Sequence, residues 1–504
     1  MPKRRHGCLT PLKWGCGCLG LFLIGILGLL VLLLNRVPKS YPPVAQPISS
    51  PSLSQWDSVG LDGFASPYLG HDGTANGKGG AMAGRPKTSD LDLEVSMGLR
   101  WTFVPVYWQA LEANGPVDLS RDVPAEWRAL DTFIIDAHQH GLNILMQAPV
   151  MGGNAGGPPR WAGRREKGKS APADMDAAAA FAGKLATRYA PGGVLATREG
   201  WKQSFGVRAW ELDNEPDGYL THWKDQTGDY AEFVTKVAAA IRLVDARAVI
   251  IGPGNMGGGN ATPWIEAALD AQGMKGSPEF RTRGKPYSIG PSLDVVSFHV
   301  YEGMDSAFSH DPRTVEVAFS EVRRVFETWE SRAAGFFYER KQDYWHTEGN
   351  FDFFGVLSQE RRASWRIQFF TRAFAAGIRK IDVMDPCKAE QMAVRAYVQA
   401  LPDPFPMVPA NDRVRVLSGS PVVFRHRDRS PGQEGLVWIL WARANTGPAQ
   451  VNVPTIRDRV AVVSSQGART LLLSSNQSVV VQLSGEVKMA PPILIIDRPT
   501  RSRD

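Results

Sequence analysis

The sequence predicts an α/β protein: a (β/α)8 TIM barrel, an antiparallel β-sandwich domain behind it and an N-terminal transmembrane helix in front. Three observations carry this. Eight short apolar runs recur within residues 56–402 with helical stretches between them. Beyond residue 403 the helical period gives way to short alternating runs. Residues 15–34 hold no charged side chain. At 504 residues, with 43% hydrophobic and 21% charged side chains, the chain has the composition of a globular protein with a large core, which excludes a disordered or fibrous class.

Residues 1–14 form a short basic tail and residues 15–35 the span. The apolar stretch, ending in six consecutive Leu and Val residues at 29–34, is about the length that crosses a bilayer as a helix. Asn35, Arg36 and Val37 follow where a cleaved signal peptide would carry small residues, so the sequence reads as an uncleaved signal anchor. Lys3, Arg4, Arg5 and Lys13 before the span outnumber Arg36 and Lys39 after it, which predicts a single-pass membrane protein with a cytoplasmic N-terminus and an extracytoplasmic body. Cys8, Cys16 and Cys18 lie in or beside the span and read as small membrane-packing residues. Cys387 is alone in the rest of the chain, so no disulfide is expected there. Residues 36–55, with Pro38, Pro42, Pro43, Pro47 and Pro51, read as an extended spacer.

Six of the 57 lysines and arginines precede residue 41 with no acid among them, leaving 51 basic against 51 acidic residues in the body. A neutral body offers no field for a phosphate backbone, so no nucleic-acid partner is expected.

In the barrel region, 56–402, the apolar runs begin near Val59, Leu99, Leu142, Val207, Ala248, Leu293, Tyr344 and Ile378, mostly about 35–50 residues apart. That is the repeat of a strand–helix unit. Phe233, Val237, Ile241 and Val244 recur at helical steps, predicting a helix over 230–244 with Asp229 as N-cap. In residues 403–504 the runs at 414–417, 422–425, 436–441, 460–463, 471–473, 479–483 and 493–496 predict the sandwich. It carries no ligand cluster or paired carboxylates, and its expected role is packing against the barrel.

Barrel chemistry sits at the C-terminal ends of the strands. The fourth run ends in Asn214, Glu215 and Pro216, followed by Asp217; the seventh ends in Glu348 before Gly349; the sixth brings His299 and Tyr301 to one face by the two-residue strand period. Strands four and seven face each other across an eight-membered ring. Two opposed carboxylates are the equipment of glycoside hydrolysis: in a retaining enzyme one attacks the anomeric carbon while the other protonates the leaving oxygen. Glu211 and Asp213 alternate with Glu215 and are alternative acids. Trp101, Trp108, Trp161, Trp223 and Trp264 are candidate sugar platforms, and Trp108 and Asp217 are counted among the expected substrate-binding residues. Asp136, His138 and His140 have a metal-like spacing but belong to the helix before strand three, on the wrong side of the barrel. No metal or cofactor is expected.

With Asn214, Glu215 and Pro216 ending strand four and Glu348 ending strand seven, the chain resembles the clan GH-A retaining glycoside hydrolases. The stretch from Trp210 to Asp217, with the C-terminal sandwich, most resembles glycoside hydrolase family 39, whose members include xylosidases, iduronidases and exopolysaccharide hydrolases. The resemblance covers residues 59–497. It implies Glu215 as acid/base, Glu348 as nucleophile, Asn214 on the sugar 2-hydroxyl, Tyr301 bonded to the nucleophile and His299 lining the same subsite, with a polysaccharide or oligosaccharide as substrate. One departure stands out. Many relatives carry an arginine on strand two that orients the nucleophile, whereas here the strand runs from Leu99 to Trp108 with Arg100 near its start, at the wrong depth for that part. Either another group replaces it, or the protein is a catalytically weak glycan-binding barrel.

Overall fold

The computed structural model describes residues 69–72, 88–120, 123–151, 157–165, 170–201, 205–218, 223, 226–255, 261–270, 287–300, 312–333, 342–349, 357–383, 386–401, 405–428, 435–485 and 490–497. Eight parallel strands close into a barrel in sequence order: β1 Leu69–Asp72, β2 Trp101–Tyr107, β3 Asn143–Val150, β4 Ala209–Glu211, β5 Val249–Asn255, β6 Val295–His299, β7 Asp343–Glu348 and β8 Lys380–Val383. The ring closes because β1 pairs with both β2 and β8, Gly70 standing opposite Trp101 on one side and Asp382 on the other. Seven strands begin within about two residues of the apolar runs. The first does not: the strand beside β2 is Leu69–Asp72, ten residues beyond the run at Val59, which lies outside the described residues. Its sequence, Leu-Gly-His-Asp, offers a single apolar residue, too little for hydrophobic pattern to find.

The helices are α1 Thr88–Met97, α2 Trp108–Leu111, α3 Ala125–Gln139, α4 Met175–Tyr189, α5 Val194–Arg198, α6 Thr227–Val244, α7 Ala261–Leu269, α8 Thr314–Ala333, α9 Gln359–Ala376 and α10 Lys388–Ala400. Local chemistry marks several ends. Asp174 accepts the Ala177 N–H at 2.9 Å to start α4, and Ser358 caps α9, which ends at Gly377 in the left-handed conformation, φ +109°. Cys387 begins α10, its N–H bonded to the Glu390 carboxylate at 2.9 Å. Asp229 is not the cap expected of α6. The helix starts three residues earlier, at Thr227 after Gln226, and Asp229 is spent on an ion pair with Arg165 at 2.6 Å.

The barrel interior follows from the strand period. Trp101, Phe103, Leu145, Ala209, Val249, Ile251, Val295 and Trp345 form one enclosed apolar cluster. Two residues further along β3, β4, β6 and β7, on the same inward face, the sequence turns polar: Gln147 above Leu145, Glu211 above Ala209, Ser297 and then His299 above Val295, Thr347 above Trp345. The apolar floor excludes water and the polar layer carries the chemistry. Lys380 and Asp382 of β8 join them as a buried ion pair, the ammonium 5.1 and 5.2 Å from the Trp101 and Trp345 rings.

The C-terminal part holds β9 Met407–Pro409, β10 Arg415–Ser418, β11 Pro421–Asp428, β12 Gly435–Ala442, β13 Ala449–Pro454, β14 Arg459–Ser464, β15 Arg469–Leu473, β16 Ser478–Leu483 and β17 Ile493–Asp497. They form two antiparallel sheets, ordered β10-β13-β16 and β15-β14-β17-β12-β11-β9. All seven expected runs are strands; β9 and β13 were not expected. This part packs on α9. Gln368 donates to the Ala490 carbonyl at 2.8 Å, and the Arg372 guanidinium lies 5.4 Å from the Trp441 ring and 5.9 Å from Phe424. Among the described residues no helix is long and apolar enough to cross a membrane. The apolar run at 15–34 lies outside them.

Candidate active site

Strand β4 stops at Glu211 and the chain then makes a tight, strained turn. Asp213 and Glu215 both have positive φ, 63° and 43°, which side chains rarely adopt and which costs about 1–3 kcal/mol each. The turn is held by Asp213, fully buried, whose two carboxylate oxygens accept the Met151 N–H at 2.8 Å and the Trp223 indole N–H at 2.6 Å. The Gly218 N–H closes it onto the Glu215 carbonyl at 2.8 Å. Asp213 is thereby a structural acid, and the turn delivers Glu215 to the barrel mouth.

Glu348 ends β7. The register with β6 slips at this point, so that His299 stands opposite Glu348 while Phe298 stands opposite His346. The slip brings the His299 imidazole between the two strand-end carboxylates: Nδ1 lies 3.0 Å from Glu215 Oε1 and 3.8 Å from Glu348 Oε2. One ligand atom from each of the three residues falls within 4.8 Å of the others. The carboxylate side chains are 15% and 14% exposed and the imidazole 0%, so a substrate reaches the acids and not the histidine. Gly349 after Glu348 is forced by space, since a Cβ there would lie 2.3 Å from the Val300 carbonyl and 2.6 Å from His346 Nε2. Gly349→Ala is expected to lower stability by about 1–3 kcal/mol, read by urea unfolding, and to depress turnover further by displacing Glu348. Unaltered stability and turnover would mean the β7 end is laxer than this packing implies.

The charges in this cluster are set by one another. Burial alone would drive the His299 imidazole toward neutrality, but Glu348, Glu215 and Glu211 outweigh it and raise its pKa to about 10. It is a cation through the physiological range. Beneath it, Glu211 is completely buried, and burial pushes its carboxyl up against the opposing pull of His299 and the Thr347 hydroxyl. Thr347 Oγ1 donates to Glu211 at 2.7 Å, and the Gln147 amide donates at 3.3 Å to Glu211 and at 3.0 Å to the Asn214 side-chain oxygen. Glu211 therefore braces β3, β4 and β7 directly below the two rim acids. It has no route to a sugar as an acid. Gly254, φ +61°, allows this layer to close, because a Cβ there would sit 3.2 Å from Glu211 Oε1 and 3.3 Å from His299 Nε2. His346, also buried, is pushed down to about 3, chiefly by burial and then by the neighbouring His299 charge, and stays neutral.

Of the residues singled out in the sequence, Glu215, Glu348, Asn214 and His299 come together. Asp217 is half-buried in the same turn. Tyr301 lies outside the described residues. Trp108 is a correction: its side chain is fully buried, stacked on Phe181 at 5.7 Å with its indole N–H on Glu112 at 3.0 Å, so no sugar can lie on it. Trp223 and Trp264 are equally enclosed, Trp101 lies in the barrel floor, and Trp161 is tied by its N–H to the Glu112 carbonyl at 2.6 Å. His299 touches the acids from beneath and does not line the sugar subsite. Arg100 is exposed at the start of β2, at the end of the barrel away from the acids. The metal-like trio is otherwise engaged: His138 stacks on Trp201 and meets Phe205 edge-on, while His140 bonds the Asp136 carbonyl and Asp92. Glu215, His299 and Glu348 also have the spacing of a cation site, with His299 Nδ1 engaged by Glu215 at 3.0 Å. Gln147, Thr347, Lys380 and Asp382 are members of the polar layer that sequence reading passed over. Their only signal is a polar residue two places beyond an inward apolar one.

No protein-family model matches the chain, and neither does any curated protein. Solved structures do. The chain is similar to a glucosidase from Croceicoccus marinus (TM-score 0.54, 15% identity, 85% of this chain and 95% of that one). The family 51 α-L-arabinofuranosidase AbfB from Bifidobacterium longum matches at TM-score 0.51 with 12% identity over 85% and 95%. A family 39 β-xylosidase from Caulobacter crescentus matches at TM-score 0.50 with 14% identity over 91% and 98%. The chain shares with these glycoside hydrolases the fold of a (β/α)8 barrel followed by antiparallel β-sheets. The likeness spans both the barrel and the C-terminal sheets, and at these identities it concerns the fold, with family 39 no more favoured than the others.

Proposed function

We propose that the chain is a membrane-anchored retaining glycoside hydrolase that cleaves O-glycosidic bonds of an extracytoplasmic polysaccharide or oligosaccharide. The observation that carries this is the approach of the Glu215 and Glu348 carboxylates to within 4.8 Å at the barrel mouth. An approach this close stands with the ~5–5.5 Å of a double displacement and against the ~6.5–9.5 Å at which inversion places a water between the acids. The anchor reading rests on the uncharged run at 15–34 and the basic tail before it.

In the first step a Glu348 oxygen forms a bond to the anomeric carbon while the glycosidic C–O bond breaks and the leaving oxygen takes the Glu215 proton. In the second, Glu215 takes a proton from water, whose oxygen displaces Glu348 from the anomeric carbon. The negative charge thus moves from Glu348 to Glu215 and back. His299, with one N–H within 3.0 Å of Glu215 and 3.8 Å of Glu348, is a fixed cation beside both positions. This is the part a strand-two arginine would otherwise play. It favours an enzyme over the glycan-binding reading.

The test is release of reducing ends by the full chain from a panel of neutral and acidic polysaccharides and aryl glycosides, with proton NMR of the first-formed anomer. Release with the anomeric configuration kept is the expected result. Inversion would break the double-displacement assignment, and binding without release from any substrate would leave a glycan-binding barrel.

A further inference from the structure

Leu212 gives its N–H to the Ile251 carbonyl of β5 at 3.0 Å, and from there the chain leaves the barrel ladder and enters the positive-φ conformation of Asp213 and Glu215. Backbone held this far from its preferred wells persists only where its surroundings fix it more than once. Strand β3 supplies two such restraints. Met151, just past its end, gives its N–H to Asp213 at 2.8 Å, and Gln147, from the inward face, gives its side-chain N–H to Asn214 Oδ1 at 3.0 Å. The second of these bonds holds the residue directly before Glu215.

The polarity of that bond is dictated from below. Gln147 is buried and stands opposite Glu211 in the β3–β4 register. An ionised carboxylate only accepts, so the Gln147 amide turns its NH2 to Glu211 Oε2 at 3.3 Å, and the same nitrogen reaches Asn214, which must meet it with oxygen. One acceptor in the polar layer thus fixes the orientation of two amides in succession. The two strand-end acids do not depend on Gln147 equally. On the β7 side Glu211 keeps a shorter bond, 2.7 Å from the hydroxyl of Thr347, which directly precedes Glu348 and does not act through Gln147. Of Gln147's own two bonds the one to Asn214 is the shorter, so removing the amide acts mainly on the β4 side.

We propose that Gln147 is a positioning residue of Glu215: acting through Asn214, it sets the place from which the acid gives its proton to the leaving oxygen, and it has little part in the attack by Glu348. This rests on the glycosidase reading for its setting. A proton donor works only within hydrogen-bond reach of the atom it protonates, and a misplacement of about 1 Å costs on the order of 10²-fold in rate. The cost falls where the leaving group needs that proton and not where it departs as a stable anion.

The experiment compares the full chain with Gln147→Met, which keeps the reach of the side chain and removes both bonds, on paired phenyl and 2,4-dinitrophenyl glycosides of xylose, glucose and arabinose. On the sugar the parent accepts, kcat/KM for the phenyl glycoside is expected to fall about 10- to 100-fold and that for the dinitrophenyl glycoside to stay within about twofold. Hydrogen exchange followed by mass spectrometry on the same two proteins is expected to quicken over residues 212–218 and to stay unchanged in β7. Gln147→Asn, which keeps the amide one carbon shorter, is expected to show the same preference to a smaller degree, and it carries the test if Gln147→Met does not fold. Equal losses on the two leaving groups would overturn the assignment, as would unchanged rates with unchanged exchange. A parent that cleaves no glycoside or polysaccharide, with exchange quickened in the 212–218 turn alone, would sink the glycosidase reading and leave Gln147 as the residue that places Glu215.

Discussion

Glu348→Gln is expected to reduce turnover on the order of 10⁴-fold or more on every substrate the parent cleaves, while leaving the fold and glycan affinity in place. The amide keeps the size of the carboxylate but cannot form the glycosyl ester, so both steps of the double displacement are lost together. Glu215→Gln is expected to behave differently, and the contrast makes the pair informative. Without its acid, the first step still proceeds on aryl glycosides whose leaving group needs no proton, so those substrates give a burst and then stall for want of a base. Natural linkages fail at the first step. Added azide, which needs no base, is expected to restore turnover in Glu215→Gln by attacking the intermediate, and to do nothing comparable in the same place for Glu348→Gln. Exchange of these two phenotypes would reverse the roles of the two acids, and azide rescue of neither would remove the shared mechanism.

Much of this was legible in the chain itself because a barrel strand reports its own inner face. The two-residue period puts His299 inward with Ser297 and Val295, and a carboxylate that ends an apolar run before Pro216 or Gly349 has nowhere to go but the rim. What sequence does not report is register. The slip between β6 and β7 that sets His299 opposite Glu348 leaves no residue signature, and without it the histidine reads as one more lining group. Nor does sequence say which way a ring points where an element changes type: Trp108 begins α2 as β2 ends, and the turn swings it from the expected mouth to the Phe181 side of the barrel wall. The first strand and β13 were missed for the same physical reason. Leu69–Asp72 is positioned by its two neighbours' hydrogen bonds and not by its own hydrophobicity, and in Ala449–Pro454 the buried Val451 and Val453 alternate with Gln450 and Asn452 in a run too mild to stand out. Glu211 shows the converse case. Its identity as a carboxylate suggested an acid, and only its complete burial on Thr347 and Gln147 turns it into a brace.

His299→Asn is expected to lower turnover about 10²- to 10³-fold, a loss of the kind seen when one fixed group facing a developing charge is removed. The amide can keep a hydrogen bond toward Glu215 but not the positive charge. The pH dependence separates this electrostatic role from simple damage. With the cation gone, two carboxylates face each other without compensation, so the ionisation of the nucleophile becomes harder and the acid limb of kcat/KM moves to higher pH in the variant. The parent carries a second signature in its stability. Burial opposes the charge, yet Glu348, Glu215 and Glu211 hold the folded pKa at about 10, above the ordinary value of 6.5. A group whose pKa is raised by folding stabilises fully below its unfolded value and loses that contribution as pH climbs through the folded one. The parent's unfolding free energy is therefore expected to decline between about pH 6.5 and 10, and that of His299→Asn to stay flatter over the same window. Parallel pH curves for the two proteins, together with an unmoved acid limb, would mean that His299 is neutral and that the charge passing between Glu348 and Glu215 is balanced by some other group.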